Sequence, residues 1–397
     1  MIRYILPIWV SMIINTLLSL TDMFFLKQID TDYVTAVGIA IVPYMLLSIM
    51  LTGLGIAANR YTAGGKSFNV FKIITICSVT SLLICIVCNG ISHILFLYAN
   101  QSVREYVLEY FNIYIYTLIP LGIMYIATGI LRGNNRSSIS VIFNTLAVIT
   151  NGILDWIFIK NVYKEKSCFG CGLASLLSDS LIATIYIVLL LSFYKKKDTY
   201  VGLKEFIISS CKFSLEKLFS TASIMIISSV FISFLDIDSS NVYFGTEKMF
   251  SPIRMFSYSY FEWVIFSESK SIKRNIYQSS AIMIGLCIIM AFISALYFDT
   301  NMTQILFIIL FAASEVIFSY EREQVAIAFS GELTDDANRV MFIKSIVLIS
   351  LMFILTMTKT ISLISLGVVQ VMVTFFSVYF LKKSVNSIYI INNKQLD

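Results

Sequence analysis

The chain has 397 residues, of which 58% are hydrophobic and only 13% are charged. Soluble globular domains carry about one quarter charged residues, so this composition excludes an ordinary soluble protein and indicates a chain that crosses a membrane many times. The formal net charge of +5 requires no nucleic acid partner, because lysine and arginine accumulate at the cytoplasmic ends of membrane helices.

Twelve apolar segments are long enough to span a bilayer, which takes about 20 helical residues. We therefore predict an all-α integral membrane protein with about twelve transmembrane helices. The first segment follows Arg3 without a small-residue cleavage site, so we expect it to be retained as a span. The segments cover residues 4–26, 35–58, 70–98, 106–131, 138–159, 170–193, 214–235, 242–266, 278–298, 302–329, 340–358 and 360–381.

The loops between these segments differ in their content of lysine and arginine. Most basic residues fall in alternate loops that share one side of the membrane with both termini, and the positive-inside rule assigns that side to the cytoplasm. We expect a multi-pass protein of the plasma membrane with cytoplasmic N- and C-termini.

The most basic loop, KKKDTYVGLKEF, follows the sixth segment and divides the chain into two groups of six. This predicts an N-terminal lobe of residues 1–195, a cytoplasmic loop of residues 196–212 and a C-terminal lobe of residues 213–397. Two short echoes support a repeat. IDTDYV after the first segment recurs as IDSSNV after the seventh, and Gly133 and Gly331 follow the fourth and tenth segments. Pseudo-symmetric halves are common in secondary transporters.

Few ionisable residues interrupt the N-terminal half. Each is a functional candidate, because an ionised side chain at mid-bilayer costs about 2.5 kcal/mol or more. Asp22 lies near the outer end of the first segment, one heptad after Asn15. In the fifth segment Asn144, Asn151 and Asp155 are spaced by seven and four residues, which places them on one helix face.

The first and fifth segments run in the same direction, so Asp22 and Asp155 are expected at similar depths, where they could meet. Two facing carboxylates in a low dielectric do not both stay ionised. The pair should therefore bind a proton or hold a cation such as sodium, with the Asn151 amide completing the site. The spacing alone leaves an alternative open, in which each aspartate merely caps its helix near the interface.

The chain has seven cysteines and a single histidine, His93. Cys168 and Cys171 form a C-x-x-C pair, a pattern that elsewhere binds zinc or undergoes redox chemistry. A zinc site needs two further ligands, and none is adjacent in the sequence. Both cysteines are therefore interpreted as small helix-packing residues.

Ordered motifs within residues 1 to about 195 resemble those of the multidrug and toxic compound extrusion (MATE) transporters. LPIWVSMIINTLLSLTDMFFL resembles their first helix, GLGIAANRYTAGG the end of their second, and ILRGNNRSS the turn after their fourth. VITNGILDWIFI followed by GCGLASLLS resembles their fifth helix and the start of their sixth. The count of twelve segments extends the likeness over the whole chain.

The resemblance implies a secondary transporter of two six-helix lobes. Such a protein would export amphipathic or cationic organic compounds by alternating access, in exchange for entering sodium ions or protons. Carried over residue by residue, it assigns Asp22, Asn151 and Asp155 to the site that holds the coupling proton or sodium ion.

The same resemblance implies further candidate residues for helix bending and for the coupling site. Pro7 matches the first-helix proline associated with helix bending. The hydroxyl that the family often supplies early in helix six corresponds to Ser175 or Ser178, and the register does not decide between them. Asn15 is an additional candidate for the coupling site.

The C-terminal half departs from the family pattern, because its eighth and tenth segments are highly charged. Opposed charges on neighbouring helices could form a structural ion-pair network. If Lys248, Arg254, Glu262 and Glu315 instead line the transport cavity, they favour a zwitterionic or anionic cargo, such as a peptide or a lipid-linked sugar phosphate. The same two segments also hold Glu247, Glu321, Arg322 and Glu323.

The alternative function is therefore a flippase for lipid-linked oligosaccharide, or an exporter of a peptide-like cargo, built on the same fold. A receptor-like protein without transport is a further alternative. A membrane enzyme is disfavoured, because no paired histidines and no nucleophile beside a base assemble a reactive centre.

The energy source is expected to be an ion gradient. The nearest approach to a Walker motif is GGKS from Gly64, which lacks the first glycine, so ATP is not expected to bind this chain. We expect no cofactor beyond the coupling sodium ion or proton. The expected partners are the lipid bilayer and a small-molecule cargo, and the expected state is a monomer.

Overall fold

The computed structural model describes residues 1–97, 99–163, 166–194, 199–272, 276–297, 301–331 and 333–394. Over these residues the chain is almost entirely helical, with one isolated β-bridge between Ser67 and Tyr200, which confirms the predicted all-α fold. The α-helices are α1 (Ile2–Lys27), α2 (Thr31–Ala63), α3 (Val70–Leu95), α4 (Gln101–Tyr114), α5 (Leu118–Gly133), α6 (Ser138–Ile157), α7 (Ser167–Phe193), α8 (Leu203–Ile226), α9 (Ile237–Ser269), α10 (Ile276–Tyr297), α11 (Met302–Ser330), α12 (Thr334–Met357) and α13 (Leu363–Lys394).

Helices α4 and α5 form one rod, Gln101–Gly133, joined by a 3₁₀ turn at Ile115–Thr117. The turn lies just before Pro120, which has no N–H to donate to the preceding turn. A π-helical turn at Phe158–Val162 extends α6 directly after its polar face, and another at Ile227–Phe231 extends α8.

Ten of the helical rods in the described part of the chain are long and apolar enough to cross a membrane. Helices α8 and α9 are as long but carry more charged side chains. Large apolar side chains point outward along the other rods, such as Leu83 and Ile94 of α3, which are 59% and 68% exposed. Lipid tails would cover such a surface, so the chain is a multi-pass membrane protein.

The chain divides into two compact units, Ile2–Ser214 and Leu215–Asp397, the second taking in Met1. The N-terminal unit contains α1 to α7 and the first half of α8. The C-terminal unit contains the second half of α8 and α9 to α13.

Small residues let helices approach closely inside the N-terminal unit. Gly129 and Gly133 form a G-x-x-x-G pair on α5, the spacing that brings membrane helices together. A Cβ on Gly129 would lie 2.9 Å from Ala58 Cβ of α2, and a Cβ on Gly133 would lie 2.8 Å from the Asn59 carbonyl oxygen. Both glycines are therefore needed where α5 packs on α2.

Helix α8 begins inside the segment for which the sequence predicts a loop, residues 196–212. Residues 195–198 lie outside the described part of the chain. From Leu203 onward the segment is helical, and the Phe206 ring packs against Phe68 and Tyr61 with centroids 4.7 Å and 5.9 Å apart. The sequence interpretation gave weight to the charges of this segment and missed its buried apolar face.

The two echoed segments, IDTDYV and IDSSNV, each lie at the start of a helix that an aspartate caps. Asp30 caps α2 by accepting a hydrogen bond from the Asp32 N–H at 3.0 Å. Asp236 caps α9 by accepting one from the Ser239 N–H at 2.7 Å. Both helix starts therefore have an N-cap carboxylate that satisfies free N–H groups, but Asp30 lies within IDTDYV whereas Asp236 directly precedes IDSSNV.

Candidate functional site

Helix α6 carries its polar residues on the side that faces the protein. Its buried residues are Ser140, Asn144, Ala147, Asn151 and Asp155, spaced by three or four positions so that they form one stripe. Ile149, Ile153 and Trp156 of the same helix are each more than half exposed. This arrangement suits a membrane helix that turns its apolar side to lipid and its polar side inward.

Side-chain hydrogen bonds join α6 to α1 at two positions along the helices. At the first, the Asn144 amide donates to Ser11 Oγ at 2.6 Å. At the second, the Asn151 amide donates to Asp22 Oδ1 at 2.6 Å and to Asp155 Oδ2 at 3.0 Å. Asn151 thus bridges the two carboxylates that the sequence predicts to lie at the same depth.

Helix α7 supplies the hydroxyls of this site. Ser175 Oγ donates to Asp22 Oδ2 at 3.1 Å. Ser178 Oγ lies 3.3 Å from Asn151 Oδ1 and accordingly donates to the amide oxygen rather than to a carboxylate. Both hydroxyls that the sequence left as alternatives reach the site, and only Ser175 contacts an aspartate.

The site is closed to solvent and rich in negative charge. Asp22 is 2% exposed and Asp155 is fully buried. Asp155 Oδ1 has no hydrogen-bond partner, and neither aspartate forms an ion pair with a basic residue in the described part of the chain. Two buried carboxylates without a counter-charge are unfavourable in a low dielectric, so they need a proton or a cation.

The site offers oxygen atoms of the kind that bind a small cation. Asp155 Oδ1 has no hydrogen-bond partner, and a carboxylate oxygen of Asp22 lies within 4.8 Å of one of Asp155. Cys171 Sγ is also close, since one ligand atom each from Asp22, Asp155 and Cys171 lie within 4.8 Å of one another. The arrangement can hold a proton or a small cation.

Two of the predicted residues lie away from this centre. Asn15 is exposed, and its position seven residues before Asp22 puts it about 10 Å away along the helix, so it lies too far to complete the site. Pro7 lies in the second turn of α1.

Asp179 is an acidic residue of α7 that the sequence analysis missed. It lies one helical turn after Ser175, is partly exposed, and interacts electrostatically with Asp22 and Tyr44. The sequence did contain a signal for Asp179, because an ionisable residue inside an apolar segment is a functional candidate.

A second group of charges lies in the C-terminal unit, around Arg254 of α9. Its guanidinium donates to Glu315 Oε1 through Nε at 3.1 Å and through Nη2 at 2.5 Å, and to Glu247 Oε1 at 3.2 Å. Glu315 Oε2 is buried without a hydrogen-bond partner. These three side chains and Lys344 line a cavity of about 70 Å³.

Lys248 and Glu262, which the sequence analysis placed with this group, lie elsewhere. Lys248 is exposed, because six residues along a helix turn it about 120° from Arg254, whereas Glu247 at seven residues returns to the same face. Glu262 is buried but does not line the cavity, since it lies about 12 Å beyond Arg254 along α9.

A deeper ion-pair network surrounds Arg322 of α11. Its Nη2 lies 2.6 Å from Glu216 Oε1 and 3.8 Å from Glu321 Oε2. Lys344 Nζ donates to both oxygens of Glu321 at 2.7 and 2.8 Å, and the Ser377 hydroxyl donates to the same carboxylate. The sequence analysis missed Glu216 and Lys344, although both interrupt apolar stretches.

The fold defines a class, the polytopic all-α membrane proteins. Comparison with known proteins shows which members of this class share the fold. The MatE family model matches residues 7–157, the part of the chain that contributes Asp22, Asn151 and Asp155. No curated protein matches the chain in sequence.

Solved structures of transporters match the chain almost end to end. A MATE protein in the bent conformation superposes with a TM-score of 0.78 at 15% identity, covering 98% of this chain and 96% of that one. An outward-facing multidrug resistance MATE family transporter of the MOP superfamily gives 0.76 at 15%, covering 97% and 95%.

A third structure is a MOP superfamily transporter from Pyrococcus furiosus Vc1, described as having a binding pocket of reversed polarity that suggests a different function. It gives a TM-score of 0.76 at 15% identity and covers 97% of this chain and 95% of that one. The chain therefore has the MATE transporter fold, with the family's sequence pattern over residues 7–157, and the resemblance seen in the sequence is confirmed.

Proposed function

We propose that the protein is a secondary active exporter that exchanges an organic cargo for an entering sodium ion or proton. The observation that carries this proposal is the buried Asp22–Asn151–Asp155 group, which contains two carboxylates and no basic partner in the described part of the chain. Such a group must take its counter-charge from solution, which is the property that ion coupling requires.

The proposed coupling step follows from the charge of this group. With a proton or sodium ion bound, the excess negative charge falls and Asn151 can satisfy both carboxylates in a closed, dry site. After the ion leaves, two charges share one amide donor, and burial of that state is costly. Ion release should therefore favour a state in which water reaches the aspartates, as alternating access demands.

An ion gradient supplies enough energy for this cycle. One elementary charge that crosses 100 mV contributes about 2.3 kcal/mol, and a tenfold concentration gradient adds about 1.4 kcal/mol. We propose that the protein works in this way without ATP, as a monomer of the plasma membrane with both termini in the cytoplasm.

The cargo is the second part of the proposal. An amphipathic or cationic compound fits the resemblance to multidrug exporters. The C-terminal cavity supports a zwitterionic or peptide-like alternative, because it offers the Arg254 guanidinium together with Glu247 and the unpartnered Glu315 Oε2. The MOP superfamily transporter whose reversed pocket polarity suggests a different function has the same fold.

A dye-efflux assay tests the exporter. Cells that express the protein should expel a fluorescent cationic dye, and Asp22→Asn should abolish the efflux. Asp32→Asn is a matched control, because Asp32 lies exposed in the first turn of α2 and should leave efflux unchanged. A wild-type protein that is well expressed and leaves dye accumulation unaltered would contradict multidrug export, and the same assay with a labelled dipeptide would then test the alternative cargo.

A further inference from the structure

We propose that Asp22, Asp155 and Cys171 form a binding site for a thiophilic divalent cation of the zinc class. One ligand atom of each residue lies within 4.8 Å of the other two, and all three residues are buried. The sequence interpretation treated Cys171 as a packing residue because no ligands are adjacent in the chain. The fold supplies those ligands from α1 and α6.

The charges at the site require a cation. Two carboxylates carry two negative charges, and in the described part of the chain no basic side chain pairs with either. A divalent ion neutralises both carboxylates and, with the Cys171 thiolate as its third ligand, leaves one negative charge, which is the charge that a sodium ion leaves beside the neutral thiol. The choice of ion therefore rests on the thiol rather than on the charge. Asp155 Oδ1 is buried without a hydrogen-bond partner, so it is the oxygen atom that gains most from contact with a cation.

The thiol decides which divalent ions can bind. Magnesium and calcium take oxygen ligands, while zinc and related ions accept a thiolate together with carboxylates. On binding, the Cys171 S–H bond is replaced by an S–metal bond and the proton passes to water, with both carboxylates ionised. The ligand atoms of four-coordinate zinc lie about 3.5 Å apart for bonds of about 2.0–2.3 Å. Because the three ligand atoms already lie within 4.8 Å of one another, each pair has to converge by no more than about 1.3 Å.

The surrounding hydrogen bonds already orient the carboxylates. The Asn151 amide donates to Asp22 Oδ1 and to Asp155 Oδ2, and Ser175 Oγ donates to Asp22 Oδ2. Such outer contacts fix the ligands of a metal site and raise its affinity. Asp155 Oδ1, Cys171 Sγ and a remaining lone pair of an Asp22 carboxylate oxygen are available to the ion, with water as a fourth ligand.

Cobalt(II) bound to the purified protein tests this site, because a thiolate ligand to cobalt gives a charge-transfer absorption band. We expect one equivalent of Co²⁺ to produce the band, zinc to remove it by displacement, and excess magnesium to leave it unchanged. Cys171→Ser should abolish the band and weaken binding by at least about 100-fold, since even outer contacts of a metal site are worth about 10–100-fold. Asp155→Asn should weaken binding as well.

Cys168→Ser is the matched control. Cys168 is equally buried and lies three residues earlier on α7, but it is not among the three converging ligands. This variant should keep the band. Thermal unfolding of each variant, and Cys171→Ala as a second replacement, separate loss of a ligand from loss of the fold.

Three results would overturn the site: no cobalt band in the wild type, a band retained in folded Cys171→Ser, or a band lost in folded Cys168→Ser. The measurement needs no cargo and no gradient, so its failure would leave the proposed exporter standing. If the cobalt measurement confirms the site, zinc-class ions should compete with the coupling ion and inhibit transport.

Discussion

Buried acids of the two units differ in how their charge is neutralised. In the N-terminal unit, Asp22 and Asp155 share one amide and have no basic partner in the described part of the chain. In the C-terminal unit, Glu321 and its neighbours face fixed cations such as Arg322. An acid with a built-in counter-charge contributes to structure and costs stability when the pair is broken. An acid without one needs a proton or a cation from solution.

The largest effect should come from breaking a fixed pair. Arg322→Met leaves Glu216 and part of the charge of Glu321 uncompensated in the interior, so we expect a loss of about 3–5 kcal/mol in the free energy of unfolding. Denaturation in detergent measures this loss. Lys248→Met is the control, because an exposed residue of α9 should change stability by less than about 0.5 kcal/mol. Equal stability of the two variants would contradict the structural role of the network.

The bridging amide should have a smaller effect that depends on pH. Asn151→Leu leaves two buried carboxylates without their shared donor, which costs about 3 kcal/mol when they are ionised. Protonated carboxyls need that donor less, so the loss should shrink as the pH falls. Asn144→Leu, on the same face of α6, removes an amide bonded to the neutral Ser11 and should cost stability without this pH dependence. Unfolding curves across pH distinguish the two.

The absence of a fixed counter-charge should make the N-terminal unit sensitive to ions. Sodium or acid should stabilise the wild-type protein by up to about 2.7 kcal/mol when the ligand is at 100 times its Kd. Asp155→Asn should remove this stabilisation, while Glu315→Gln, in the C-terminal cavity, should retain it. A thermal shift assay in sodium and in choline, repeated at several pH values, measures the effect. Stabilisation that persists in Asp155→Asn would place the ion elsewhere.

The smallest expected effect is a difference in ion-dependent stabilisation between variants of the two α7 hydroxyls. Ser175→Ala removes a hydrogen bond to Asp22 and should weaken ion-dependent stabilisation by about 1 kcal/mol, or about fivefold in affinity. Ser178→Ala removes a hydrogen bond to the Asn151 amide oxygen and should have less effect. The reverse order would show that Ser178 is the closer partner of the ion.

Periodicity made much of the fold and the acid pair predictable. Apolar length located the helices to within a few residues at most ends, and the seven- and four-residue spacing on α6 put Asn151 and Asp155 on one face. The parallel course of α1 and α6 then brought Asp22 to the same level. These inferences rest on helix geometry, which the local sequence determines.

Partners on different helices were harder to predict. Glu216 and Lys344 belong to α8 and α12, and nothing local in their sequence indicates that they meet Arg322 and Glu321. Cys171 was discounted as a ligand because its partners are distant in the chain. Lys248 was grouped with Arg254 by proximity in sequence, although six residues of helix turn it to a different face.

The most direct test of the account is cargo efflux from proteoliposomes under imposed sodium and pH gradients, measured for wild type, Asp155→Asn and Glu315→Gln. We predict that wild-type efflux follows one of the two gradients and that Asp155→Asn loses this dependence. Glu315→Gln should keep the dependence on the gradient even where its efflux is altered. Efflux that still follows the gradient in Asp155→Asn would contradict the claim that the unpaired acids of the N-terminal unit carry the coupling ion.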